Sequence, residues 1–190
     1  VVRKFIAEQL GCHGVYGRGW SWDVFSNEEL VRGPRKEYLD AVTNDIPIVL
    51  RANDGHTLWL NSKALALNGI TETTTAPIGG ISEKDDQSGS LWGTLKESAM
   101  NLVALPQYTV VQYMEAMRSF QAKMHQFGIT GILCMASYTF EMIFEACRKL
   151  QERGELHIWV RGAMTVNSHD ALAEQMKTIM KMKRKYTTPY

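Results

Sequence analysis

The sequence has little of what marks several common classes of protein. Its three cysteines are odd in number and have no CxxC or zinc-ribbon spacing, so we expect neither a disulfide framework nor a cysteine-held zinc site. No apolar run reaches the length of a transmembrane span. A net charge of +1 gives no electrostatic case for binding nucleic acid or an anionic membrane. These absences predict a globular, cytoplasmic protein with reduced thiols that binds neither nucleic acid nor membrane.

Paired histidines are missing as well. The five histidines are His13, His56, His125, His157 and His169. No two of them have the HxH or HxxxH spacing that often marks a metal site. The chain also begins with Val1 rather than methionine, in what reads as the end of an amphipathic helix. We therefore expect these residues to be a piece of a longer protein.

The most informative stretch runs from Ile46 to Gly69, with the sequence IPIVLRANDGHTLWLNSKALALNG. Its apolar start, Ile46 to Leu50, has the length and β-branched content of a buried strand. Four polar residues follow at the end of this strand: Arg51, Asn53, Asp54 and His56. Gly55 supplies a tight turn among them, and Asn61 is expected to cap a short helix that ends at Gly69. Polar groups at the end of a rigid element are typical of binding sites.

The pattern changes after residue 105. Thr109 to Phe127 has the periodicity of a long amphipathic helix, and Ile129 to Met135 is a near-continuous apolar strand. A helix over Phe140 to Leu150, a strand over His157 to Val166 and a helix from Asp170 follow. This alternation predicts parallel strands with right-handed crossovers. Two such strands fit either a segment of a (β/α)8 barrel or an open sheet.

Several motifs resemble those of a known family. The string R-x-N-D-G-H-x-x-W-x-N-S-x-A-L, at Arg51 to Leu65, resembles the signature of amidohydrolase family 3. This is the YtcJ-like branch of metal-dependent hydrolases, which includes N-substituted formamide deformylases and exoenzyme regulatory proteins. Gly17 to Trp20 resembles the family's G-x-G-W, and Pro34 to Val42 resembles its P-x-R-x-x-L-D-A-V. Gly89 to Glu97 matches D-G-x-x-x-G-x-L-x-E except at the first position, and Gly128 to Thr130 matches the G-I-T that begins a barrel strand.

This resemblance implies an α/β fold in two parts. Residues 1–105 would be a small α+β domain inserted into the amidohydrolase barrel, and residues 106–190 would be β/α units of an incomplete (β/α)8 TIM-like barrel. The exposed strand pair after Gly128 then predicts self-association or a homo-oligomer, because its barrel neighbours are missing.

The resemblance also implies a function. The parent protein would hydrolyse non-peptide C–N bonds of a small-molecule amide or N-formyl substrate, with water activated by a divalent metal that we expect to be zinc. The family's metal ligands lie on strands outside these residues, and Leu133-Cys134 stand where many relatives have His-Asp. We therefore expect no metal in this segment and no activity from the segment alone. The alternative is a non-catalytic binding or regulatory module on the same scaffold, because fold does not prove activity.

Five residues are candidate substrate contacts, and each has a structural alternative. They are Asp54, His56, Trp59, Asn61 and Glu97. His56 contacts substrate across the barrel mouth or is hydrogen-bonded within the turn, its tautomer set by Asp54. Trp59 lines a pocket with Trp20 and Trp22 or packs in the core. Asn61 is either a ligand contact or a helix cap, and the cap is favoured. Glu97 is either a site carboxylate or an acid in the first turn of a helix that runs to Leu105, and the helix role is favoured.

Overall fold

The computed structural model describes residues 1–9, 11–135, 140–164, 166 and 171–188. The chain divides into two compact units, Val1–Leu105 and Pro106–Tyr190. Helices and sheets occur in both units, so the α/β class is confirmed in its broad form. The assignment of the units as an inserted domain and a barrel segment stays a prediction.

The first unit is built on a five-stranded sheet. Its elements in chain order are α1 (Val2–Glu8), β1 (Val15–Trp20), a 3₁₀ helix (Trp22–Val24), α2 (Glu29–Arg32), α3 (Glu37–Asp40), β2 (Ile48–Ala52), β3 (Thr57–Leu60), α4 (Ser62–Leu67), β4 (Gly80–Lys84), β5 (Leu91–Glu97) and a second 3₁₀ helix (Ser98–Leu102). The strand order is β1-β2-β3-β5-β4. β1 and β2 are parallel, and the other neighbouring strands are antiparallel.

Both faces of this sheet are covered. Because side chains alternate along a strand, each strand contributes to two separate cores. The first core lies on what we call the aliphatic face, defined by Val49, Leu58, Leu60 and Leu95, which packs against α4 and the second 3₁₀ helix. The second lies on what we call the aromatic face, defined by Ile48, Leu50 and Trp59, which packs against α1 and α3. Burying each of these aliphatic side chains contributes roughly 1.5–3 kcal/mol, so the sheet is stabilised from both sides.

A β-bulge interrupts β1 near its end. Arg18 pairs with Arg51, but the next pair joins Trp20 to Ala52, so Gly19 is an extra residue in β1. Gly19 has a φ of +100°, which glycine adopts readily because it has no Cβ. The extra residue reverses the alternation, so Arg18 lies on the aliphatic face whereas Trp20 lies on the aromatic face.

The stretch from Ile46 to Gly69 forms a β-hairpin and a helix. β2 begins at Ile48, two residues later than predicted, because Pro47 has no N–H to donate to the ladder. The apolar patch at residues 58–60 belongs to β3, a strand that the sequence analysis did not predict. The turn between the strands contains Gly55 at a φ of +84°, as predicted. The predicted helix from Glu97 to Leu105 is wrong, because Glu97 is the last residue of β5.

The second unit alternates helices and strands. Its elements are α5 (Val110–Gln126), β6 (Gly131–Cys134), α6 (Phe140–Glu152), β7 (Trp159–Gly162) and α7 (Leu172–Tyr186). β6 and β7 pair in parallel, which confirms that prediction. Thr109 and Gln112 form a capping box at the start of α5. Met114, Ala146 and Leu150 form the buried core.

The predicted start of the last helix at Asp170 lies outside the described residues, as does His169, one of the five histidines. Within the described ranges, none of the helices combines the length and the apolarity that crossing a membrane requires.

Candidate functional site

Three of the five predicted site residues meet at one end of the five-stranded sheet. The turn over residues 53–56 joins β2 to β3 there and carries Asp54 and His56. Glu97 ends β5 beside the start of β3. Trp22, from the 3₁₀ helix after β1, contacts the same turn. We call Trp22, Asp54, His56 and Glu97 the sheet-end site.

His56 and Glu97 are neighbours across β3 and β5. The Glu97 backbone N–H donates to the His56 carbonyl at 3.0 Å. The His56 Nδ1 atom lies 3.1 Å and 3.2 Å from the two Glu97 carboxylate oxygens. Because an ionised carboxylate only accepts hydrogen bonds, it places the proton of the neutral ring on Nδ1 and leaves Nε2 as an acceptor. His56 Nε2 has no partner among the described residues, so it is available to a ligand.

The exposure of this pair means that the ion pair itself contributes little to folding. The His56 and Glu97 side chains are 66% and 57% exposed. An ion pair exposed to that degree contributes only ~0–1 kcal/mol to stability. The contact between the two side chains is therefore a minor contribution to the stability of the first unit.

Glu97 has an unusual backbone conformation. Its φ is +51° and its ψ is −128°. Residues other than glycine rarely adopt this backbone conformation, which costs about 1–3 kcal/mol. The surrounding packing imposes it: Ala99 is fully buried, and a Cβ on Gly80 would lie 2.3 Å from the Ala99 nitrogen. The conformation turns the chain from β5 into the 3₁₀ helix and leaves the Glu97 carboxylate beside His56.

Asp54 fixes the shape of the turn. Its Oδ1 accepts the His56 backbone N–H at 2.8 Å, and its Oδ2 accepts the Trp22 indole N–H at 2.9 Å. One oxygen thus closes the turn on itself, and the other ties the turn to the segment after β1. The interpretation that Asp54 sets the His56 tautomer is wrong, because the partner of the ring is Glu97.

Trp59 lies in an aromatic cluster beneath this turn, on the aromatic face. The cluster consists of Trp20, Trp22, Phe25, Tyr38 and Trp59, with ring centroids of neighbours 5.0 to 6.5 Å apart. The Trp59 indole N–H donates to the Arg35 carbonyl at 3.0 Å. Trp59 is half-buried, and Trp22 connects the cluster to Asp54. The cluster therefore supports the sheet-end site from one face of the sheet.

Asn61 follows the opposite end of β3, so the structure does not bring it to the sheet-end site. It is fully buried. Its Oδ1 accepts the backbone N–H groups of Ile48 and Ala64, each at 2.9 Å. Its Nδ2 donates to the carbonyls of Thr43 at 3.1 Å and Ile46 at 3.0 Å. The predicted helix cap is confirmed, and ligand contact by Asn61 stays a prediction.

Sequence reasoning missed Lys96, which supports Trp22. The Lys96 ammonium lies 2.6 Å from the Glu83 carboxylate and 5.7 Å from the centroid of the Trp22 ring. It also donates to the Val31 carbonyl at 2.5 Å. A cation over an indole face stabilises the position of the ring. No local pattern points to this contact, because its members are distant in the sequence.

The described residues do not fit a metal ion. Among them, no three His, Cys, Asp or Glu side chains are grouped so as to hold one. His56 with Glu97 supplies two donors, whereas a zinc site takes three or four protein ligands. The chemistry that the sheet-end site offers is therefore hydrogen bonding, through an imidazole acceptor and a carboxylate.

Solved structures share this fold. An uncharacterized metal-dependent hydrolase from Pyrococcus horikoshii OT3 superposes on 90% of this chain with a TM-score of 0.52 and 19% sequence identity. The superposition covers 30% of that hydrolase. The fold of this chain is therefore shared with a part of that hydrolase.

The family follows from the sequence. The profile of the amidohydrolase family matches residues 7–188, and the chain belongs to that family. The resemblance drawn from the motifs is thereby confirmed. The exoenzymes regulatory protein AepA of Pectobacterium carotovorum subsp. carotovorum is 27% identical over 157 residues, which cover 80% of this chain and 33% of that protein. The YtcJ protein of Bacillus subtilis (strain 168), which is named as an amidohydrolase, is 30% identical over 117 residues, covering 60% of this chain and 21% of YtcJ. The chain thus spans a third or less of the length of these relatives.

Proposed function

We propose that the chain is a segment of a metal-dependent amidohydrolase that hydrolyses non-peptide C–N bonds of amide or N-formyl substrates. The observation that carries this proposal is the family match over residues 7–188. The fold shared with the Pyrococcus hydrolase supports it. A divalent metal, expected to be zinc, would activate the attacking water in the parent protein. Its ligands would come from the remaining two thirds or more of the parent, since the chain spans at most about a third of its relatives.

In this proposal the first unit is the inserted domain and the second unit is a run of β/α units of a TIM-like barrel. The first unit contributes to substrate choice through the sheet-end site. His56 Nε2 accepts a hydrogen bond from a substrate N–H, and Glu97 holds the imidazole in the tautomer that this requires. Asp54 and Trp22 keep the turn in place.

The test compares the product of the complete reading frame with the 190-residue chain. Both are assayed for release of amine from a panel of N-formyl and N-acetyl amines, before and after treatment with a chelator, and their metal content is measured. We expect hydrolysis by the complete protein that the chelator abolishes, and neither activity nor stoichiometric zinc in the chain alone. A complete protein that holds no metal and hydrolyses none of these amides overturns the proposal. An ion bound tightly by two histidines of the chain alone overturns our account of the site.

The role of the sheet-end site is tested by variants of the complete protein. His56→Gln and Glu97→Gln should each raise KM by roughly tenfold, the usual size of one lost hydrogen bond to a charged or polarised partner. Glu72→Gln is the matched control, because the Glu72 side chain is exposed and distant in sequence from the site. A KM for His56→Gln equal to that of the control would exclude contact between His56 and the substrate.

A second candidate is a non-catalytic regulatory module on the same scaffold. The observation that favours it is the similarity to AepA, a protein named for regulation, over 80% of this chain. The flanking parts of the reading frame separate the two candidates. An H-x-H motif upstream, with further histidines and an aspartate downstream, supports the enzyme, and their absence supports the module.

A further inference from the structure

Two arginines are neighbours on the aliphatic face of the sheet, close to the sheet-end site. Arg18 and Arg51 are register partners in the parallel pair of β1 and β2. Register partners project from the same face, and adjacent strands lie about 4.8 Å apart. The bulge at Gly19 is what separates Arg18 from Trp20 and leaves the arginine on this face. The two guanidinium groups therefore start from adjoining positions.

Neither arginine is paired with an anionic side chain in the part of the chain that the structure describes. No hydrogen bond or ion pair joins either side chain to another residue in the described ranges. Arg51 is half-buried. It pairs across the sheet with Leu58, which in turn pairs with Leu95, and both leucines are buried. Like charges at directly opposed positions destabilise a sheet, and a partly buried guanidinium normally has an acceptor. The arrangement is unfavourable for folding alone.

Two acidic side chains at this end of the sheet, those of Glu97 and Asp54, already have partners. The Glu97 carboxylate contacts the His56 ring. Both oxygens of Asp54 accept hydrogen bonds, one of them from Trp22. Neither carboxylate is therefore left to pair with the arginines, and an anion from outside the described residues can do so.

The arginines also lie close to the free imidazole nitrogen. Arg51 pairs with Leu58 in the last recorded pair of β2 and β3 before the turn. β2 ends one residue later, at Ala52, and the turn over residues 53–56 carries His56. A small molecule bound at this end of the sheet can therefore extend from the arginines toward His56 Nε2.

We propose that Arg18 and Arg51 form a carboxylate-binding subsite beside His56. The guanidinium fork matches the two oxygens of a carboxylate, and two such groups neutralise it more fully than one. A ligand of the first unit then carries a carboxylate at one end and an amide N–H for His56 at the other. The inference deepens the proposed function and rests on it for one point, that this ligand is the substrate.

The experiment measures binding to the 190-residue chain without any hydrolysis. Succinamate, which carries a carboxylate and a primary amide, is compared with succinamide, its neutral analogue of nearly the same shape. Both are titrated while the backbone amide and arginine side-chain signals are followed by NMR. We expect succinamate to bind at least tenfold more tightly than succinamide, and to shift the Arg51 and His56 signals. Equal affinity for the two compounds, or shifts that avoid Arg51 and His56, overturns the proposal.

Variants of single arginines then test which side chains bind the carboxylate of succinamate. Arg18→Gln and Arg51→Gln should each weaken succinamate binding roughly tenfold, the usual effect of losing one charged hydrogen-bonding partner. Arg153→Gln is the control, because its exposed side chain has no partner in the described ranges and it lies in the second unit. Arg18 is exposed, so Arg18→Gln decides the question even if the half-buried Arg51 proves necessary for folding. Equal weakening in the control would show that the binding is non-specific and would overturn the subsite.

The outcomes separate the subsite from the proposed function. Arginine-dependent binding of succinamate to the chain, combined with a complete protein that hydrolyses no amide, supports the subsite and refutes the enzyme. Hydrolysis by the complete protein with no preference for acidic over neutral amides refutes the subsite and supports the enzyme.

Discussion

Replacing Asn61 with alanine tests how the hairpin and α4 are held together. The Asn61 amide is fully buried and makes four hydrogen bonds to backbone groups. Two of these groups, the N–H of Ile48 and the N–H of Ala64, belong to fully buried residues. Alanine leaves both donors without a partner and removes the cap of α4.

The size of the effect follows from these contacts. Each buried donor left without an acceptor costs about 1–3 kcal/mol, so we expect Asn61→Ala to lower the free energy of unfolding by about 2–6 kcal/mol. The lost cap, typically ~1 kcal/mol, is contained in that range because the Ala64 N–H is the capped group. A domain of this size is stable by only about 5–15 kcal/mol, so the variant should be close to unfolding.

The assay is urea unfolding followed by tryptophan fluorescence. Four of the five tryptophans lie in the first unit, so the signal reports mainly on that unit. Asn53→Ala is the matched control: the same substitution at an exposed turn position should change stability by no more than ~0.5 kcal/mol. Similar unfolding midpoints for the two variants would refute the role that we assign to Asn61.

Three further perturbations test other parts of the fold. Gly93→Ala should destabilise the first unit by about 3 kcal/mol or more in the same assay, because the φ of Gly93 is +112° and a Cβ would lie 2.8 Å from the backbone nitrogen of the residue that precedes α3. Gly89→Ala is the control: Gly89 has a φ of +70° and open space around it, so the substitution should cost only ~1 kcal/mol. Equal losses of stability in the two variants would contradict this. Hydrogen bonds from the backbone and hydroxyl of Ser88 lower the pKa of Asp85 to about 2, from its ordinary value of 3.8. The stability that the ionised carboxylate contributes is therefore present above pH 3.8 and is lost as the pH falls through about 2. An NMR titration of Asp85 with a midpoint near the ordinary pKa would refute this. Leu133 is exposed on β6 and should promote self-association. Sedimentation velocity should therefore detect concentration-dependent oligomers of the unmutated chain, and Leu133→Lys should reduce them. An unmutated chain that is strictly monomeric would argue against this role of Leu133.

Local chemistry in the sequence predicted the features that depend on neighbouring residues. Asn61 caps α4, Gly55 forms the turn, and α5 begins one residue after the predicted Thr109, because each feature is decided within about four positions along the chain. The parallel pairing of β6 with β7 was likewise predictable from two apolar runs joined by a helix.

Features that depend on distant residues were not predictable in the same way. The periodicity of Thr109 to Phe127 predicts Phe120 and Phe127 on the same apolar face as Met114, but they are 38% and 66% exposed whereas Met114 is buried. Gln121 is buried instead, because its side-chain amide donates a hydrogen bond to the Glu155 carbonyl and accepts one from the His157 N–H. No pattern within one helix indicates such partners.

The candidate site shows the same division. The motif string identified Asp54 and His56 as polar residues at a strand end, and the structure places them there. It did not indicate that Glu97 is the partner of His56, because that contact depends on the register between β3 and β5. The roles of these residues toward substrate stay predictions.

The single additional residue in β1 means that this strand serves two sides of the sheet at once. Up to Arg18 its alternation follows that of β2, and from Trp20 onward the phase is shifted. Deleting Gly19 would restore the regular phase and drive an indole toward the aliphatic core, so a change of length here is more disruptive than a change of residue type. Anyone who engineers this strand should therefore keep its number of residues fixed before varying their identity.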